Sequence, residues 1–93
     1  MIQSFNDKET EKIFEGQHSR RIPVEIQRRA LRKLILLNQA TTLEHLKNFP
    51  ANRLELLIGN RQGQHSIRIN RQWRICFKWD TGHAREVEIT DYH

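Results

Sequence analysis

Ninety-three residues carrying a formal charge of +5, sixteen Lys and Arg against eleven Asp and Glu, set the first limits. A chain of this length makes one domain, residues 1–93, with a modest core and no room for a second. One cysteine, Cys76, excludes an intrachain disulfide. The longest apolar run, residues 34–37, is far too short to span a bilayer, and the start lacks the pattern of a secretory signal. The expectation is a soluble cytoplasmic protein with no membrane attachment.

The charge is unevenly spread. Residues 17–33 sum to +5 and residues 53–74 to +4, while 1–16 and 75–93 each sum to −2 and 34–52 balance. Eleven of the sixteen cations are arginine, whose planar fork suits phosphate. A solubilising surface is one reading of these blocks; a footprint for an acidic partner, nucleic acid first, is the other.

In chain order, residues 2–5 suit a short strand. Asn6 with Glu9 has capping-box spacing for a first helix, which Gly16 stops. A second, longer helix opens at Pro23 and runs to about Asn38. Val24, Ala30, Leu31, Leu34, Ile35 and Leu37 fall on its apolar face, and Leu36 projects from the charged side, where a partner is expected to cover it. Thr41 with Glu44 offers a cap for one further turn, and Phe49-Pro50-Ala51-Asn52 breaks the chain.

From Arg53 onward the period falls to two. Residues 54–58, 64–70, 73–79 and 86–90 read as strands, and Asp80-Thr81-Gly82 marks the last hairpin turn. The fold class is therefore α+β: helices first, then an antiparallel sheet with one face against the helices and the other open. Ile69 and Trp73 must both face the core, which requires a three-residue loop, residues 70–72, and sets Arg68 opposite Arg74 on the open face. Like charges in that position repel. They are either splayed into solvent or placed to grip a phosphate.

The C-terminal segment holds Asp91, Tyr92 and His93. Strand alternation puts Tyr92 on the face of Arg68 and Arg74; Asp91 and His93 have the opposite parity and need a twist or strand end to join them. Such a set suits RNA cleavage by the adjacent 2′-hydroxyl, with His93 and Asp91 moving protons, arginines holding the phosphorane and Tyr92 stacking on a base. No His/Cys spacing suits a metal, and no cofactor is expected. Cys76 reads as a small buried hydrophobe, and His65, with core parity, as a packed and hydrogen-bonded histidine.

The blocks NRLE at 52–55, GNRQGQHSIRIN at 59–70, QWRICF at 72–77 and VEITDYH at 87–93, with MIQSF at 1–5 and the Phe14 segment, closely resemble HigB-type killer proteins of the RelE/ParE toxin superfamily. The resemblance covers essentially the whole chain, least well in the middle helix. It implies a RelE-like fold, a small twisted antiparallel sheet backed by N-terminal helices. It also implies an mRNA interferase that cleaves the message in the ribosomal A site. A HigA-like helix-turn-helix antitoxin would neutralise it, and operator DNA would be bound only through that complex. Arg74, Asp91, Tyr92 and His93 match the family's catalytic positions, and Arg61 and Arg68 its RNA-lining cations. Two departures stand out: Glu55 replaces a histidine, and Ile58 a lysine, of some members. The competing readings are a ParE-like inhibitor of a protein such as DNA gyrase, and an RNA- or ribosome-binding module whose chemistry has decayed.

Overall fold

The alternating second half of the chain forms a four-stranded antiparallel sheet of order β1-β2-β3-β4 in the computed structural model, which describes residues 1–92. The strands are β1 (Glu55–Leu56), β2 (Gln64–Arg68), β3 (Trp73–Asp80) and β4 (His83–Asp91). Helices α1 (Lys8–Phe14), α2 (Val24–Gln39) and α3 (Leu43–Lys47) precede it. Ile67, Ile75 and Phe77 of the sheet pack against Ala30, Leu34 and Leu37 of α2 in one core.

Helix α2 supplies the middle of that core. Its fully buried residues Ala30, Leu34 and Leu37, with Ile26 one turn earlier, form a stripe at spacings of four, four and three. Val24 and Ile35, assigned to this face from the sequence, are 68% and 42% exposed. Leu36 lies off that stripe, yet the core reaches it as well. That side chain is partly buried against the chain's own core and does not wait for a partner.

Both helix caps lie one residue later than the capping-box spacing suggests. Asp7, not Asn6, accepts a hydrogen bond from the Thr10 amide, and Thr42, not Thr41, accepts from the His45 amide. In each doublet the second polar residue has the extended backbone that a cap requires. Gly16 ends α1 as expected, at φ 82°.

The register of the central hairpin follows from core packing. Ile67 pairs with Ile75 and Arg68 with Arg74, and residues 70–72 form the loop, closed by Asn70 Oδ1 accepting from the Gln72 and Trp73 amides. Thr81 and Gly82, both at positive φ, make the two-residue turn of the last hairpin.

Strand β4 departs from strict alternation. Cys76 pairs with Glu88 but Lys78 with Arg85, so β4 carries one extra residue and Glu86 takes φ 52°. This bulge lets Ala84, Val87 and Ile89 all face the core. The N-terminal segment runs parallel to β4, bridging Ile2 to Ala84 and Phe5 to Val87. The Ser4 hydroxyl accepts from the bulged Glu86 amide, and buried Thr10 Oγ1 from the Ile89 amide. The outer edge of the sheet is thereby covered.

Candidate active site and nucleic-acid interface

The sheet face turned away from the helices carries Glu55 on β1, Ser66 and Arg68 on β2, Arg74 and Cys76 on β3, and Glu88 and Thr90 on β4. Strand parity sets these seven side by side. This face is less open than alternation implies. Ser66 and Cys76 at its middle are fully buried, and Arg74 is only 8% exposed. Cys76 is thus a packed thiol, in agreement with the sequence reading.

Arg74 is held from several sides. Its Nε donates to Ser66 Oγ at 2.7 Å and one terminal nitrogen, Nη2, to the Arg53 carbonyl at 2.6 Å. The other, Nη1, lies 3.7 Å from Glu55 Oε1. The guanidinium carbon sits 5.9 Å from the centroid of the Tyr92 ring, within cation–π range. The Arg53 carbonyl is available because Arg53 adopts a left-handed backbone, φ 43°, just after a 3₁₀ turn at Pro50–Asn52. Fully buried Asn52 pins that turn by donating to the Leu46 carbonyl at 2.9 Å and accepting from Lys33 Nζ. The break at Phe49-Pro50-Ala51-Asn52 therefore positions the site arginine.

Arg61 comes from a second 3₁₀ turn, Gly59–Arg61, and reaches back over β4. It donates to Glu88 Oε1 at 2.5 Å and to Gln64 Oε1 at 3.2 Å. The bond to Glu88 raises the Arg61 pKa above its ordinary value. Both arginines facing the site are accordingly paired with carboxylates, Arg74 with Glu55 and Arg61 with Glu88. An incoming phosphate must exchange with those carboxylates. Thr90, opposite Arg74, has a buried hydroxyl without a hydrogen-bond partner among the described residues.

The structure therefore brings Arg61, Arg74 and Tyr92 together. Tyr92, 40% exposed, is docked through its amide to the Gln72 carbonyl at 2.6 Å. Asp91 stands at the strand end opposite Trp73, where Oδ1 accepts from Gln72 Nε2 at 3.0 Å. Arg68 is Arg74's cross-strand neighbour but turns aside, its Nε donating to the Asn70 carbonyl at 3.0 Å. The like-charged pair is splayed, and the two arginines face different surfaces. The position assigned to His93 lies outside the described residues. Sequence reasoning missed Glu88 and Ser66, and left Glu55 outside the site; strand register was the signal that could have placed all three beside the arginines.

His65 lies on the other face of the sheet, stacked on Phe77 with ring centroids 6.1 Å apart. Burial pushes its pKa below 6.5. It is packed as expected, but its buried Nδ1 finds no hydrogen-bond partner among the described residues, contrary to the sequence reading.

Comparison with solved structures places the fold. The chain aligns over its whole length with a chain of the YoeB–YefM complex from Staphylococcus aureus, at a TM-score of 0.57, 20% identity and 98% coverage of that chain. A second structure of the heterotetrameric YoeB–YefM toxin–antitoxin complex from the same organism gives 0.58 at the same identity and coverage. That likeness is one of fold.

Sequence comparison is more specific. The profile of the family described as the RelE-like toxin of type II toxin–antitoxin system HigB matches residues 3–93. The chain is 40% identical over 85 residues, 90% of each protein, to Toxin HigB-1 of Vibrio cholerae serotype O1 (strain ATCC 39315 / El Tor Inaba N16961). It is 32% identical over the full length of both proteins to Endoribonuclease HigB of Proteus vulgaris. The chain belongs to the HigB-like toxin family.

Proposed function

We propose that this HigB-like toxin is a ribosome-dependent endoribonuclease that cuts messenger RNA in the A site, in the cytoplasm. The reading is supported chiefly by the setting of Arg74. Two of its nitrogens are fixed by Ser66 and Arg53, which aims the third, Nη1, at the place where a phosphate would displace Glu55. Tyr92 beside it offers an exposed ring on which a base can stack.

In the proposed reaction the 2′-hydroxyl attacks its own 3′-phosphate and the 5′-oxygen of the next nucleotide leaves. Arg74 and Arg61 hold the phosphorane charge. Asp91 or Glu55, the carboxylate set against Arg74, takes the 2′ proton, and His93, on the family resemblance, returns one to the leaving oxygen. The products are a 2′,3′-cyclic phosphate and a 5′-hydroxyl. Arg68 carries the message beyond the cut. A HigA-like helix-turn-helix antitoxin neutralises the toxin, and operator DNA is bound only by their complex.

The test is single-turnover cleavage of ribosome-bound message by the parent protein and a variant lacking His93. The parent should yield 5′-hydroxyl ends, and the shortened protein should cut about 10²–10⁴-fold more slowly, as on losing a general acid. Equal rates would move proton donation away from His93. No cleavage, together with lost DNA supercoiling by gyrase, would replace the nuclease with the ParE-like inhibitor.

A further inference from the structure

A second basic surface lies beside the site. The charged face of α2, the Arg53 turn and the β2–β3 loop enclose a cleft of about 640 Å³. Six of its nine lining residues are cations: Arg29, Arg32, Lys33, Arg53, Arg68 and Arg71. No carboxylate lines it, and none of the six is in an ion pair among the described residues. On the site face, by contrast, Arg61 and Arg74 are each matched to an acid. The two basic stretches of the sequence, residues 17–33 and 53–74, meet here.

Such convergence is unfavourable in the free protein. Burial first, and the charge of Arg29 second, hold the Lys33 ammonium below its ordinary pKa. Lys33 is anchored to Asn52, Arg29 reaches the Ile69 carbonyl at 3.4 Å and Arg68 the Asn70 carbonyl at 3.0 Å. Two backbone carbonyls and one side-chain amide oxygen thus fix three of the cations without neutralising them.

From this we infer that the cleft is a phosphate-binding track for single-stranded RNA, which takes the message as it leaves the cutting site. The inference rests on the endoribonuclease reading and extends it to the path of the substrate. Continuity favours RNA over an acidic peptide. Arg68 and Arg74 are direct cross-strand partners, with backbones about 4.5–5.5 Å apart. Arg53 lends its carbonyl to Arg74 and its side chain to the cleft. Stacked nucleotides advance about 3.4 Å each, so a strand held at Arg74 would bring its next phosphate or two to the cleft mouth. Five of the six cations are arginine, the side chain whose fork matches phosphate oxygens.

The experiment uses a fluorescent single-stranded RNA methylated at every 2′-oxygen, which keeps its phosphates and cannot be cut. Its affinity is measured over a range of salt for the parent and for R29Q/R32Q, two α2 positions outside the catalytic set. The variant should bind more weakly, and its plot of log affinity against log salt should be shallower by about 0.7 for each cation lost. R29K/R32K should recover most of the slope, which a structural role for the arginines would not require. Urea unfolding confirms that the variants fold. A parental slope and affinity in R29Q/R32Q overturns the inference. So does unchanged RNA binding with lost antitoxin affinity, which would make the cleft the seat of an acidic antitoxin segment. Failure of the parent itself to bind this RNA also overturns the track, whereas the endoribonuclease reading beneath it falls only if ribosome-bound message is not cut, a separate result.

Discussion

Arg74 shows how much one side chain can carry on a small sheet. Strand parity places it on the face away from the helices, but burial and three hydrogen-bond acceptors make it a structural element as well as the proposed phosphate ligand. R74A should abolish growth arrest and also cost about 1–3 kcal/mol, because buried Ser66 and the Arg53 carbonyl lose their donor. R74K keeps the charge but cannot reproduce the forked contacts, so activity should return only in part. Growth arrest and urea midpoints measured together check both halves, and full toxicity of R74A would remove Arg74 from the mechanism. His65 makes a second prediction on the opposite face. Its folded pKa is depressed, so the unfolded chain binds the proton more readily. Its contribution is fully present above about pH 6.5, is lost as pH falls from there toward the folded pKa, and levels off below it. H65L should flatten that part of the curve, read from urea midpoints between about pH 7.5 and 5. A parental slope in H65L would assign the pH dependence to other groups.

At the level of elements, β2 and β3 were legible because their alternation is strict where one face is buried. The run read as a strand at 54–58, by contrast, keeps only Glu55–Leu56, both exposed, and β4 is bulged. Core demands on Ile69 and Trp73 alone fixed the hairpin loop and the Arg68–Arg74 pairing. The helix ends were less legible. Asn6-Asp7 and Thr41-Thr42 each offer two adjacent capping side chains, and tertiary contacts choose between them. Asp7 is selected as Thr10 is buried with its hydroxyl on the Ile89 amide, a bond across 79 positions that no local spacing encodes. The difference is measurable. D7A should lose about 1 kcal/mol of stability and N6A close to nothing. Equal losses in urea unfolding would mean that the cap is shared. Register places Glu55 and Glu88 on the site face but does not tell which arginine each one meets. Glu88 meets Arg61 only because a 3₁₀ turn folds back over β4. The parity of Asp91 against Tyr92, by contrast, was readable and holds at the strand end.

Across the whole molecule, the two ends of the chain meet on β4. Residues 83–91 carry the sheet toward Tyr92, while residues 1–5 close the same strand from outside. The Ala84 and Val87 amides donate to the Met1 and Ser4 carbonyls, and Ile2 and Phe5 pack against the core. Removing residues 2–5 should therefore do more than trim a terminus. Each lost apolar side chain forfeits up to about 1.5–3 kcal/mol, a large share of the about 5–15 kcal/mol that holds such a domain together. The freed edge of β4 would also present unpaired backbone groups to other copies. The shortened protein should unfold at markedly lower urea and sediment as aggregates at concentrations where the parent stays monodisperse. Supplying I2D/F5D in the full-length chain separates the two effects: the apolar contribution is lost while the backbone cover can remain. That variant should unfold early yet aggregate less than the deletion. If the deletion matches the parent in both unfolding and sedimentation, the N-terminal segment is an ornament on β4 and the sheet is self-sufficient without it.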